Sequence, residues 1–226
     1  MAKYGMVINL EKCAGCAACS IACKNENNVP DGIFWSHYIT ETVGEFPNVT
    51  YNYISTLCNH CDDAPCVNAC PLNPKAMYKS DNGITMHNHE ACIGCRACEK
   101  ACPYSVISFN ETEPFGEWRS GDAAELTKKV GGDIIPYSNP DREITYAGIR
   151  SAKKVEKCTF CDHRVANGEK PYCVDSCPAN ARTFGDLDDP NSEISKLLSN
   201  NKATVLLPNA NTKPNVYYIN KFDVKE

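Results

Sequence analysis

The residues best suited to chemistry in this chain are its cysteines, and their spacing says what that chemistry is. Cys92, Cys95 and Cys98 stand at every third position, Cys102 follows after three intervening residues, and Pro103 comes next. A loop with a thiolate at every third residue can wrap three of them around one face of an iron–sulfide cubane, with its backbone N–H groups turned toward the sulfurs. The fourth cysteine then starts the next helix and points away, toward a different cluster, and the proline keeps its segment from folding back. One such run therefore calls for a second.

The sequence supplies three more. Motif one is Cys13, Cys16, Cys19 and Cys23, with Lys24 where proline is usual. Motif two is Cys58, Cys61, Cys66, Cys70 and Pro71, its middle gap widened to four residues, with His60 read as a hydrogen-bond donor or surface residue and not a ligand. Motif four is Cys158, Cys161, Cys173, Cys177 and Pro178, its middle gap eleven residues long. Paired motifs exchange their fourth cysteines. Motifs two and three, adjacent in sequence, then give one quartet of Cys58, Cys61, Cys66 and Cys102 and another of Cys70, Cys92, Cys95 and Cys98. Motifs one and four pair across the whole chain, giving Cys13, Cys16, Cys19 and Cys177, and Cys23, Cys158, Cys161 and Cys173. Four 4Fe–4S clusters with four thiolates each use all 16 cysteines. Such cubanes have no open iron for a substrate, so the expectation is electron relay and no catalytic residue. Lys12, Lys24, Arg96, Lys100, Lys157, Arg164 and Arg182 lie beside ligands, where a cation raises a cluster's potential.

The implied fold is α+β: two ferredoxin-like units, each of the bacterial two-cluster type, one inserted in the other. The inserted unit is 58–110, and the split one is 1–57 with 111–226. Residues 6–9, 48–56, 106–109, 182–184 and 215–219 read as strands. Residues 76–79 and 84–87 read as a hairpin around Asn82-Gly83. A helix is expected over 123–130, ended by Gly131-Gly132, and another capped by Asp189 with Pro190 at its first position. Trp35 and His37 read as packing on the flank of the cluster core. The cysteine-free insertion 111–150 is either a partner-contact loop or a solvated excursion.

Bulk properties narrow the function further. The 226 residues carry a net charge of −5 with no basic run, which leaves nucleic-acid binding unsupported. The hydrophobic fraction of 42% counts the cysteines, so clusters must serve as part of the core. No stretch approaches the ~20 apolar residues of a membrane span. Met1-Ala2-Lys3-Tyr4-Gly5 shows no apolar signal core, so export would depend on a partner. A disulfide framework belongs to short secreted chains, and zinc sites use C-x2-C pairs or mixed Cys/His sets. There is no Gly-x-Gly-x-x-Gly, phosphate-binding loop or argued Ser/His/Asp set to bind a nucleotide or attack a substrate.

In this order, the motifs resemble those of the four-cluster iron–sulfur subunit of the molybdopterin (dimethyl sulfoxide reductase) superfamily, over nearly the whole chain. The resemblance rests on residues 6–13, 58–66, 92–95, 102–104 and 157–163. Residues 31–37, 56–61 and 185–190 look most like the small subunit of respiratory arsenate reductase. Small subunits of polysulfide or thiosulfate reductase and of catechol dehydroxylase or transhydroxylase are neighbours, and a free-standing polyferredoxin is a further alternative. The resemblance implies a large molybdopterin catalytic subunit next to the Cys13 quartet. It implies a cytochrome, quinol-linked protein or other electron donor or acceptor next to the Cys70 quartet. It also implies export with the catalytic partner to the periplasmic or extracytoplasmic face, although the missing signal fits a cytoplasmic complex equally. Elemental analysis of the anaerobically purified protein should find about 16 iron and 16 acid-labile sulfide; zinc, or oxidised cysteines without iron, would contradict the cluster reading.

Overall fold

The computed structural model describes residues 2–132 and 139–220. In chain order its regular elements are β1 (Tyr4–Asn9), α1 (Ala18–Glu26), β2 (Ser36–Glu45), β3 (Asn48–Leu57), α2 (Pro65–Asn68), β4 (Met77–Lys79), β5 (Thr85–His87), α3 (Ala97–Ala101), β6 (Ser108–Phe109), α4 (Gly116–Arg119), α5 (Asp122–Lys129), β7 (Val155–Glu156), α6 (Asp162–Ala166), α7 (Tyr172–Asp175), β8 (Arg182–Asp186), α8 (Glu193–Asn200) and β9 (Val216–Ile219). Residues 133–138 of the 111–150 insertion and the last six residues of the proposed split unit lie outside the described residues.

β1 carries four consecutive buried residues, Gly5 to Ile8, which is the mark of a strand covered on both faces. It is the middle strand of a three-stranded sheet, antiparallel to β8 (Met6 opposite Phe184) and parallel to β9 (Met6 opposite Val216). One face of this sheet meets α8, where Val7 and Ile219 join Ile194, with Leu197 and Leu198 at the edge. On the other, Met6, Ile8, Phe184 and Tyr218 join a core that also contains Cys23, Cys58, Cys158 and Cys173. β1 leads into motif one and β8 leaves motif four, so the sheet holds the two ends of the cysteine series together.

The remaining pairings are local. The hairpin of β4 and β5 turns at Asn82-Gly83 and feeds motif three, and β6 pairs with β7, linking the exit of motif three to the approach of motif four. The strand expected over 106–109 is shorter, Ser108–Phe109, because Val106 and Ile107 turn into the core without a partner strand. α5 lies where expected and closes at Gly131, whose φ of +80° turns the chain so that the Gly132 N–H reaches the Thr127 carbonyl at 2.9 Å. The cap of α8 is Ser192, not Asp189: Ser192 Oγ accepts from the Ser195 N–H at 3.1 Å, while Asp189 is spent on a turn with the Asn191 N–H. The fourth cysteines do not start helices either. Cys102 directly follows α3, and Cys23 lies within α1.

β2 was not visible in the sequence. With β3 it forms a ten-residue antiparallel ribbon, from Ser36 opposite Leu57 to Glu45 opposite Asn48. Its base is buried beside motifs one and two, and its far half is exposed. Tyr38, Tyr53 and Tyr51 pack edge to face along it.

The end of the insertion is not a solvated excursion. Arg150, fully buried, donates through Nε to Glu156 Oε2 at 2.9 Å and through its two terminal nitrogens to the Asn27 and Asn28 carbonyls at 2.8 and 2.9 Å, closing the end of α1. Glu156 also accepts from Trp35 Nε1 at 3.1 Å and Asn110 Nδ2 at 3.0 Å. Trp35 is therefore core, as expected, but through a polar network. Arg150→Met would strand the Glu156 carboxylate, and removing one partner of a buried pair costs about 3–5 kcal/mol. Anaerobic denaturant titration should show that loss in the cluster-bound protein; an unchanged midpoint would show that the network is not part of the stability.

Candidate metal centres

All four loops share one backbone device. The residue before the second cysteine of each motif has positive φ: Gly15 at 65°, His60 at 45°, Gly94 at 69° and Phe160 at 54°. That conformation tucks the loop under its own sulfurs, and it aims the Gly94 N–H at Cys92 Sγ and the Phe160 N–H at Cys158 Sγ, both at 3.4 Å. At Gly94 a Cβ would lie 2.0 Å from the Lys153 carbonyl oxygen, and at Gly15 2.3 Å from the Tyr53 ring, so neither position admits a side chain. His60 and Phe160, which occupy the same place in motifs two and four, stack on each other with ring centroids 3.7 Å apart. His60 is not on the surface: it is fully buried, its Nδ1 accepts from the Thr85 N–H at 3.1 Å, and its Nε2 is buried with no hydrogen-bond partner among the described residues.

The sulfurs gather into four groups. Cys13, Cys16, Cys19 and Cys177 line one cavity, with Ile8, Tyr38 and Arg182. Cys70, Cys92, Cys95 and Cys98 line a second, against Leu72, Met77 and Val155. Cys58, Cys61, Cys66 and Cys102 line a third, with Tyr104 and Ile107. Cys23 lies against Cys158, Cys161 and Cys173, all four buried. All 16 thiols are free of disulfides. Among the described residues no group of three Cys, His, Asp or Glu side chains is placed to hold a single metal ion.

The donor set fits iron–sulfur clusters. Each cavity offers soft sulfur ligands, apolar walls and N–H groups aimed at sulfur. The Ala181 N–H reaches Cys177 Sγ at 3.3 Å, and Asn27 Nδ2 stands 3.6 Å from Cys23 Sγ and 3.5 Å from Cys161 Sγ. Burial pushes the Cys61 and Cys98 thiols up to about 11 and the Cys66 and Cys161 thiols up to about 12. Such sulfurs ionise only when a metal takes the place of the proton. Cys70 goes the other way: burial opposes ionisation, but backbone N–H groups of Met77, Leu72 and Ala76 outweigh it.

The groups form a series. Arg182 stands among Cys19, Cys173 and Cys23, joining the first two groups. Cys158 neighbours Cys58, joining the second to the third, and α2 with Cys66 packs on α3 with Cys98, joining the third to the fourth. Cys16 and Cys95, at the two ends, are exposed, while the Cys23 group is sealed. Of the cations beside ligands, Arg96 is taken up by Glu99 and Glu111, and Arg164 by Asp175 and Glu169. Lys24 donates to the Pro30 and Ile33 carbonyls, and Lys12 and Lys100 are exposed. Only Lys157 and Arg182 are both buried and unpaired with a carboxylate among the described residues. Asn27 escaped the sequence reading altogether, since one asparagine four residues after a ligand carries no spacing signal.

The chain matches the 4Fe–4S dicluster domain family over residues 49–117 and 133–187, and the 4Fe–4S binding domain family over residues 10–27. It is 51% identical to the iron–sulfur subunit of the arsenate respiratory reductase of Shewanella sp. strain ANA-3, over 99% of this chain and 98% of that one. It is 41% identical to an iron–sulfur subunit of a putative dimethyl sulfoxide reductase of Halobacterium salinarum, over 97% of this chain and 80% of that one. With a chain of the polysulfide reductase of Wolinella succinogenes the identity is 33%, over 96% of this chain and 94% of that one.

Cys102 separates the two ways of grouping motif three. In the structure it faces the sulfurs of motif two. Cys102→Ser should therefore perturb the electron paramagnetic resonance signal of the cluster on Cys58, Cys61 and Cys66. Loss of the signal of the Cys92, Cys95 and Cys98 cluster instead would contradict the exchanged grouping.

Proposed function

Because this protein belongs to the family of iron–sulfur electron-transfer subunits of molybdopterin oxidoreductases, in which catalysis lies in the partner subunit, we propose that it carries electrons through four 4Fe–4S clusters to or from the catalytic subunit of an arsenate reductase-like respiratory enzyme. The observation that carries this reading is the arrangement of the cysteines: four sulfur-lined groups in series, exposed at both ends and sealed in the middle. When bound, the clusters supply one-electron carriers; the chain's own residues hold them apart, exclude water and fix the order in which they meet. The ligand sets are Cys13, Cys16, Cys19 and Cys177; Cys23, Cys158, Cys161 and Cys173; Cys58, Cys61, Cys66 and Cys102; and Cys70, Cys92, Cys95 and Cys98. In domain terms, a two-cluster unit over 58–110 sits within a split one formed by 1–57 and 111–226.

The end at Cys16 faces the molybdopterin subunit and the end at Cys95 faces a cytochrome, quinol-linked protein or other redox partner. No helix among the described residues is long and apolar enough to cross a membrane. The working site is the extracytoplasmic face, reached by export with the catalytic partner. Identity to the arsenate respiratory reductase subunit, well above that to the polysulfide reductase relative, supports arsenate over polysulfide as the partner's substrate.

A direct test reduces the cluster-loaded protein anaerobically and follows its visible absorption. Reoxidation should require both arsenate and the purified molybdopterin subunit. Reoxidation by arsenate alone, or failure of the two chains to co-purify, would overturn the proposal.

A further inference from the structure

The described residues bury four cationic side chains, Arg142, Arg150, Lys157 and Arg182, but only two carboxylates, Glu156 and Asp162. The carboxylates are taken: Arg150 pairs with Glu156 at 2.9 Å and Arg142 with Asp162 at 2.7 Å. Arg182 and Lys157 are left without a counter-ion, and a buried charge is costly unless something of opposite sign lies beside it.

Their surroundings identify the missing charge. Arg182 Nη2 donates to Ser36 Oγ at 2.8 Å and to Ser55 Oγ, both neutral, while its Nη1 is buried with no hydrogen-bond partner. The guanidinium borders the cavity of Cys13, Cys16, Cys19 and Cys177 and stands against Cys173 and Cys23 of the next group. Lys157 Nζ donates only to carbonyls, those of Thr85 and Cys158. Thr85 lines the cavity of Cys58, Cys61, Cys66 and Cys102, and Cys158 belongs to the second group, so Lys157 lies between the second and third groups. Each unpaired cation thus occupies a gap between successive sulfur cages.

We propose that Arg182 and Lys157 are the counter-ions of the clusters, one in each of the first two gaps, and that each raises the reduction potential of both clusters it touches. The inference rests on the ligand sets proposed above. Its physical basis is that each thiolate-ligated cluster is net negative and gains a further negative charge on reduction. A fixed cation at close range in a dry interior stabilises the reduced form more than the oxidised one. The same cation screens the repulsion between two neighbouring clusters, which keeps reduction of one from blocking reduction of the next. Both residues are positioning groups for electron transfer; neither exchanges electrons itself.

The test is a redox titration of the full cluster-loaded protein, followed by electron paramagnetic resonance, for wild type, R182M, R182K and K157M. Each signal is assigned through a Cys-to-Ser variant of its own quartet. R182M should lower the reduction equilibrium constants of the Cys13 and Cys23 clusters at least tenfold, about 59 mV for a one-electron couple, with the other two moving less than about threefold. K157M should instead lower those of the Cys23 and Cys58 clusters, and R182K, which keeps the charge, should stay within about threefold of wild type. Iron is counted first. Fewer than about 16 iron in the wild-type protein overturns the ligand sets, whereas full iron with unmoved or uniformly moved potentials overturns the role of the cations alone. Should R182M lose iron, fully loaded K157M and R182K decide: unmoved potentials in K157M, or a tenfold fall in R182K, would overturn the inference.

Discussion

Sulfur coordination in a water-poor interior is the constraint on which this structure depends. Four thiols facing one apolar cavity neither ionise readily nor fill the space between them, as the raised thiols of Cys66 and Cys161 illustrate. A cluster satisfies both needs, replacing the protons and supplying the missing volume. The core is accordingly built around sulfur, with Cys23, Cys58, Cys158 and Cys173 packed among Met6, Ile8, Phe184 and Tyr218.

The topology brings cysteines from distant segments to one cavity. Cys13 and Cys177 border one cavity, and the sheet of β8, β1 and β9 joins the flanks of motifs one and four. The Arg150 and Glu156 network then locks the end of the insertion to α1 and Trp35. Function uses the same arrangement. A cage sealed on every side can only pass charge to its neighbours, and under the proposed function the exposed sulfurs of Cys16 and Cys95 are the points where charge would cross the protein surface.

Much of this was legible in the sequence because thiolate spacing is a short-range, rigid code. The four motifs were visible directly, as were the apolar run of β1, the Asn82-Gly83 hairpin and α5. β2 was not, because Glu41, Thr42 and Glu45 are exposed on a ribbon that buries only its base, so no alternation marks it. The cap of α8 was misplaced by three residues, since Asp189 and Ser192 are equally good capping types and only the course of the chain chooses between them. Among seven cations beside ligands, nothing local told Arg182 from Lys12; their burial is decided by strands remote in sequence. Asn27 acquires its role only when α1 meets Cys161, 134 positions away.

Anomalous diffraction at the iron edge, from crystals of the protein with its catalytic partner, bears most directly on the shared cages. Four iron peaks in a row are expected, the first held by Cys13, Cys16, Cys19 and Cys177 and the last by Cys70, Cys92, Cys95 and Cys98. Peaks each ligated by the four cysteines of a single motif, or an iron left without a sulfur ligand from the protein, would contradict it.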